Sequence, residues 1–148
     1  MMFCTHAYHL PPRIAAGVFI LNSGLSKAKA DRETAVRVHG MAAGTYPALR
    51  GKDPEEFVKM LSRTEMALGA ALLVPLVPSL LAGAALTAFA GGLLGMYLKT
   101  PGMRREGSLR PSPNGLALAK DVWLLGMGLG LVLDELSEPR TIIDLRCS

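Results

Sequence analysis

The stretch MALGAALLVPLVPSLLAGAALTAFAGGLLGMYL, residues 66–98, contains no charged side chain. As one helix it would be roughly 50 Å long at 1.5 Å per residue, whereas one crossing of the ~30 Å hydrocarbon core of a bilayer needs ~20 apolar residues. Pro75 and Pro78 interrupt the stretch, and each removes a backbone donor and clashes with the preceding helical turn. The stretch therefore predicts two helices, 54–77 and 79–98, that form a hairpin in a membrane.

The amino-acid composition is typical of helices embedded in lipid. Half of the 148 residues are hydrophobic but only 5% are aromatic, so Ala, Gly and Leu supply most of the apolar surface. Small residues let helix backbones approach closely, which matters in lipid because apolar surfaces gain little from association there. The GxxxG spacing of Gly91 with Gly95 and of Gly126 with Gly130 predicts two helix-packing faces.

Two further apolar runs lie outside the hairpin. Residues 11–27 and 116–134 each predict a membrane-spanning helix, and residues 28–52 predict a polar loop that contains a short amphipathic helix. The length allows one domain, 1–148. The predicted fold class is an all-α membrane protein, a four-transmembrane-helix bundle with a short surface helix in the first loop.

The formal net charge of +4 arises from Lys and Arg residues that are concentrated in 27–63 and 99–120. Because loops rich in Lys and Arg stay on the cytoplasmic side, this distribution predicts a multi-pass protein with cytoplasmic basic loops and both termini outside. The basic residues separate apolar runs and do not alternate with aromatic ones, so the charge does not predict nucleic-acid binding.

The terminal segments leave two alternatives open. Cys4 and Cys147 would share the outer side of the membrane, where a disulfide between them is one alternative. The apolar run that ends in Ala28-Lys29-Ala30 also has the order of a cleaved secretory signal. Cys4, His6 and His9 are metal-ligand types at close spacing, but no fourth ligand lies near them, so we predict no metal site.

Charged residues within or beside the apolar runs are the candidate site. A charge at the centre of a membrane helix costs roughly 2.5–3.5 kcal/mol, so a carboxylate there should face the bundle interior and find a cation. We therefore predict a buried polar cluster of Glu65 with Lys27 or Lys120. The alternative is that Glu65 extends towards the membrane surface or pairs locally with Arg63 or Lys59.

Three segments together resemble a known family. RIAAGVFILNSGLSK (13–27), TEMALGAALLV (64–74) and KDVWLLGMGLGLVL (120–133) resemble the R-x-x-x-G-x-x-F-x-x-x-G-x-x-K, E-x-x-x-G-x-x-L and K-[DN]-x-x-x-x-G segments of the DoxX family. The spacing from glycine to phenylalanine in the first segment is one residue shorter here. DoxX proteins form a four-helix group of the bacterial inner membrane, which includes the small subunit of thiosulfate:quinone oxidoreductase.

The resemblance implies an accessory subunit or assembly partner in a quinone-linked or other redox process. The charged pattern of the family falls on Arg13, Lys27, Glu65, Lys120 and Asp121, which would form the binding site, with a quinone as the candidate ligand. The implied partners are the lipid bilayer and other membrane or redox proteins, and a homo-oligomer is an alternative. No phosphate loop, HExxH, G-x-S-x-G or dinucleotide motif predicts independent catalysis. A purely structural membrane protein without small-molecule chemistry is the second interpretation.

Overall fold

The structure, a computed structural model, describes residues 6–137. The described chain is helical, and its α-helices in order are α1 (Leu10–Ala28), α2 (Arg32–Thr45), α3 (Pro54–Leu73), α4 (Ser79–Lys99), α5 (Leu116–Ala119) and α6 (Val122–Ser137). Single 3₁₀ turns at Ala7–His9 and Pro47–Leu49 precede α1 and follow α2. The predicted alternative of a bond between Cys4 and Cys147 falls outside the described residues.

Local sequence signals set the ends of α3. The Asp53 carboxylate accepts hydrogen bonds from the backbone N–H groups of Glu55 (3.1 Å) and Glu56 (3.2 Å), and Pro54 occupies the first helical position. The helix ends at Leu73, four residues before the predicted end at 77, because the chain already turns extended at Val74 ahead of Pro75.

The helices pack as two closely approaching pairs, α1 with α3 and α4 with α6. A Cβ added to Gly69 would lie 2.8 Å from the Leu21 nitrogen and 2.9 Å from the Gly17 carbonyl oxygen, so the first crossing requires glycine. In the second crossing, a Cβ on Gly83 would lie 3.0 Å from the carbonyl oxygen of Gly128.

The GxxxG spacing predicted the wrong packing faces. An added Cβ would meet no neighbour at Gly91, Gly126 or Gly130, and at Gly95 it would meet only the hydroxyl end of Tyr46. Spacing shows which small residues share a helix face, but not which face another helix covers.

Two apolar clusters result from this packing. The larger lies between α1, α3, α4 and α6 and includes the fully buried side chains of Ile20, Leu72 and Leu86. The smaller lies under α2, where Ala35 and Ala42 pack against α3 and α4. The segment predicted as a surface helix in a loop therefore contributes to the interior.

The predicted four-transmembrane-helix bundle is wrong. Among the described residues, α4 is the one helix long and apolar enough to cross a bilayer. α1 carries Arg13 and Lys27, the first half of α3 is charged, and α6 has 16 residues. The predicted helix 116–134 is divided into α5 and α6, and the helices in place of the predicted spans 11–27 and 54–77 carry too much charge for a span. A core helix of a folded domain can have the length and composition of α4.

Candidate ligand-binding cavity

A cavity of about 410 Å³ lies between α1, α2, α3, α4 and the start of α6. Its lining is mainly aliphatic and aromatic, with Phe19, Phe57 and Phe89 among the contributing side chains. Three Lys, Asp or Glu residues also line it: Lys27, Glu65 and Asp121. An apolar cavity with a few polar groups has the general character of a small-molecule site.

The Lys27–Glu65 ion pair joins α1 to α3 at this cavity. The Lys27 ammonium donates to Glu65 Oε1 at 2.9 Å and Oε2 at 3.0 Å, and also to the Ser23 hydroxyl one turn earlier on α1 at 2.7 Å. Glu65 is 2% exposed. The side chain of Lys27 is 24% exposed and that of Glu65 is 3% exposed. The cation therefore lies towards the open side of the cavity and the carboxylate towards the interior.

Close helix packing places this pair. A Cβ added to Gly24 would lie 3.0 Å from the Met66 nitrogen, so α3 passes directly over α1 at this point. The Ser62 hydroxyl donates to the Gly24 carbonyl oxygen at 2.7 Å and bonds the two helices at the same level. Lys27, one turn after Gly24 on α1, and Glu65, the residue before Met66 on α3, are thereby brought within hydrogen-bond distance.

Asp121 lies in the junction between α5 and α6 and is 6% exposed. Burial raises the pKa of its carboxyl to about 6, with the positive charge of Lys27 opposing this shift and the negative charge of Glu65 adding to it. A protonated Asp121 is a hydrogen-bond donor, whereas the ionised form only accepts. The cavity therefore contains a donor that is present in acid and lost as the pH rises through about 6.

The structure does not bring all five predicted site residues together. Lys27, Glu65 and Asp121 share the cavity, but Lys120 is exposed and does not line it. Arg13 is fully buried near the opposite end of α1, where its guanidinium donates to oxygens of the last turn of α3 and of the following turn. These acceptors are the carbonyl oxygens of Ala71, Leu72, Val74 and Val77 at 2.8–2.9 Å and the Ser79 hydroxyl at 3.0 Å.

Arg13 therefore has a structural role. The last carbonyl groups of a helix have no partner within the helix, and a buried end needs other donors. The Arg13 guanidinium supplies them for α3 and also holds the turn before α4. The resemblance to the DoxX family placed Arg13 in a ligand site because it matches the charged pattern of the family, which carries no information on the carbonyl groups that face the guanidinium here.

A second polar cluster was missed from the sequence. His9 is 3% exposed; its Nδ1 lies 3.0 Å from the Ser79 hydroxyl and its Nε2 lies 2.8 Å from Asp134 Oδ2. Although this order matches a Ser–His–Asp triad, Ser79 is 2% exposed and its oxygen also accepts from Arg13, so no substrate reaches it. The cluster links the start of α1 to α4 and α6.

Tyr46 is a cavity residue that the sequence analysis missed. Its hydroxyl donates to the Gly92 carbonyl oxygen at 2.7 Å and occupies the space left by the missing side chain of Gly95. It is 36% exposed and lines the cavity. Gly92 and Gly95 were the available signal, because the missing side chain of Gly95 leaves room for a large side chain.

Comparisons with protein-family models, with curated proteins and with solved structures find no match to this chain. The resemblance to the DoxX family therefore stays a prediction from the sequence.

Proposed function

We propose that the protein is a membrane-associated accessory protein of a quinone-linked redox process and that it holds a quinone ring in the cavity. The observation that supports this most directly is the set of Lys27, Glu65 and Asp121 on the wall of an otherwise apolar cavity of about 410 Å³. Small-molecule sites typically measure ~300–1,000 Å³ and combine apolar walls with a few polar groups.

The chemistry of the walls suits a quinone. A quinone is a flat apolar ring with carbonyl oxygens that accept hydrogen bonds. Lys27 supplies a donor, and Asp121 supplies a second one while it is protonated, below its pKa of about 6. Glu65 holds the Lys27 side chain at the cavity wall.

The resemblance to the DoxX family supports the same ligand class and a location at the bacterial inner membrane. The chain carries no motif for independent catalysis, so in this proposal it acts together with membrane or redox proteins that carry out the electron transfer. Quinones with long tails dissolve in the bilayer, and association with the membrane would give the cavity access to them.

One observation favours a second interpretation, a structural role without a ligand. The Lys27 ammonium already has three oxygen acceptors, two on Glu65 and one on Ser23. The polar cluster would then only fix the register of α1 against α3, and no small molecule would bind.

Thermal unfolding of the purified full chain with a short-tailed benzoquinone distinguishes quinone binding from a structural role without a ligand. A ligand at ten times its Kd stabilises the folded state by about 1.4 kcal/mol. Ala88 lines the cavity and is exposed, so Ala88→Trp fills the cavity from its open side. Ala85, exposed on the same helix and outside the lining, gives the matched control Ala85→Trp.

We expect the quinone to raise the unfolding midpoint of the natural chain and of Ala85→Trp but not that of Ala88→Trp. No shift in the natural chain would refute quinone binding and favour the structural role. Equal shifts in all three proteins would place the quinone elsewhere and refute the assignment to this cavity.

A further inference from the structure

The connection from the end of α4 to the start of α6, residues 98–123, concentrates exposed basic side chains. We call it the basic connection. Its exposed charged residues are Lys99, Arg104, Arg105, Arg110 and Lys120, with Glu106 as the one exposed acidic residue. Exposed apolar side chains alternate with them: Leu98, Leu109, Leu116, Val122 and Trp123.

Hydrogen bonds hold the basic connection against the end of α4. The Tyr97 hydroxyl donates to the Leu109 carbonyl oxygen at 2.7 Å, and the Arg104 guanidinium donates to the Leu98 carbonyl oxygen at 2.9 Å. The segment held in this way forms a shallow surface depression, and Lys99 and Arg105 are among the residues that line it. The basic and apolar side chains are therefore presented together at one end of the helices.

The other end of the molecule has a different charge. In the described residues 6–14, 72–82 and 130–137 there is no exposed Lys or Arg, since Arg13 is fully buried. Asp134 and Glu135 lie at that end, and the hydrogen bond from His9 lowers the pKa of Asp134. The described part of this end thus presents no exposed basic charge, whereas the basic connection presents five exposed Lys and Arg residues.

We propose that the basic connection binds a membrane surface that contains anionic phospholipids. Its Lys and Arg residues contact the phosphate groups, and Leu109 and Trp123, which are 72% and 67% exposed, insert between the headgroups. Mixed basic and apolar residues bind anionic interfaces, and Trp favours the headgroup region. The basic connection also follows directly on α4, the one described helix with the length and composition of a membrane span. This inference does not depend on quinone binding.

Vesicle binding tests this inference. Trp123 is the only tryptophan of the chain, so its fluorescence reports directly on the basic connection. The purified full chain is titrated with vesicles of phosphatidylcholine, with or without phosphatidylglycerol. Because each basic residue near an anionic surface strengthens binding roughly fivefold, Lys99→Gln with Arg105→Gln and Arg110→Gln should weaken binding to the phosphatidylglycerol vesicles about a hundredfold. Binding to pure phosphatidylcholine should stay unchanged.

The control removes the same charge from the α1–α3 side by Lys29→Gln with Arg37→Gln and Lys59→Gln. We expect it to weaken binding less than fivefold. Equal affinity of the natural chain for both kinds of vesicle would refute the inference, as would an equal loss in the control. Displacement from vesicles by duplex DNA at matched charge would indicate a general polyanion site and also refute it.

Discussion

The Lys27 ammonium lies 2.9 Å and 3.0 Å from the two carboxylate oxygens of Glu65, so two residues 38 positions apart form one ion pair between α1 and α3. The partners differ in burial, with side-chain exposures of 24% for Lys27 and 3% for Glu65. Lys27 can therefore turn towards the outside when it loses its partner, whereas Glu65 has no such route. Because of this difference in burial, we expect the two residues to differ in how much stability is lost when each is replaced.

Replacing Lys27 should lower the free energy of unfolding more than replacing Glu65. Breaking a buried pair by deleting one partner costs roughly 3–5 kcal/mol because it leaves an unpaired charge inside. We expect Lys27→Met to approach the lower end of that range, Glu65→Gln to cost clearly less, and the double variant to lie near Glu65→Gln. Chemical unfolding of the three variants under one solvent condition measures this. Additive effects would show that the two residues do not interact.

Two glycine substitutions should change the free energy of unfolding in opposite directions. Gly69→Ala places a Cβ 2.8 Å from the Leu21 nitrogen, and since backbone atoms cannot move aside easily, we expect a loss of about 2 kcal/mol. Gly91→Ala meets nothing within 4 Å and should stabilise α4 by about 0.5–1 kcal/mol. In thermal unfolding, the midpoint of Gly69→Ala should lie below that of the natural chain and the midpoint of Gly91→Ala above it. A stabilising Gly69→Ala would contradict the close crossing of α1 and α3.

The stability of the protein should fall as the pH rises through the range in which Asp121 ionises. Its pKa is raised to about 6 in the folded state, from an ordinary 3.8, so the folded chain binds the extra proton between these values. The stabilisation from Asp121 is complete below about pH 4 and is lost as the pH passes 6. Asp121→Asn should remove this slope in unfolding free energy against pH. An unchanged slope would show that another group causes it.

Arg13 should not be replaceable by lysine. A guanidinium spreads five donors over a plane, whereas an ammonium has three on one atom and cannot reach carbonyl groups on both α3 and the next turn. We expect Arg13→Lys to destabilise the fold by about 2–3 kcal/mol, because carbonyl groups at a buried helix end lose their partners. Arg63→Lys, an exposed change of the same kind, should have little effect. The unfolding midpoints of both variants test this.

Part of the site could be predicted because a charge in an apolar run is visible in the sequence. On that basis Glu65 was paired with Lys27 or Lys120, and the structure pairs it with Lys27 at the cavity. Lys120 and Arg13 carry the same signal, yet Lys120 is exposed and Arg13 is fully buried at the end of α3. The signal identifies residues whose charge needs a partner, but the partner depends on which helices cross.

The linear order of residues determined the helical character of the chain, the turn at Pro75 and Pro78 and the start of α3 at Asp53, because capping and proline sterics act within a few residues. It did not determine how many helices could span a membrane, since that depends on the charged residues each helix includes. Only the tertiary structure decided the cavity and the three charged residues that line it, Lys27, Glu65 and Asp121. It also decided the contact of His9 with Ser79 and Asp134. Each joins residues far apart in sequence, and the packing of the helices decides which of them meet.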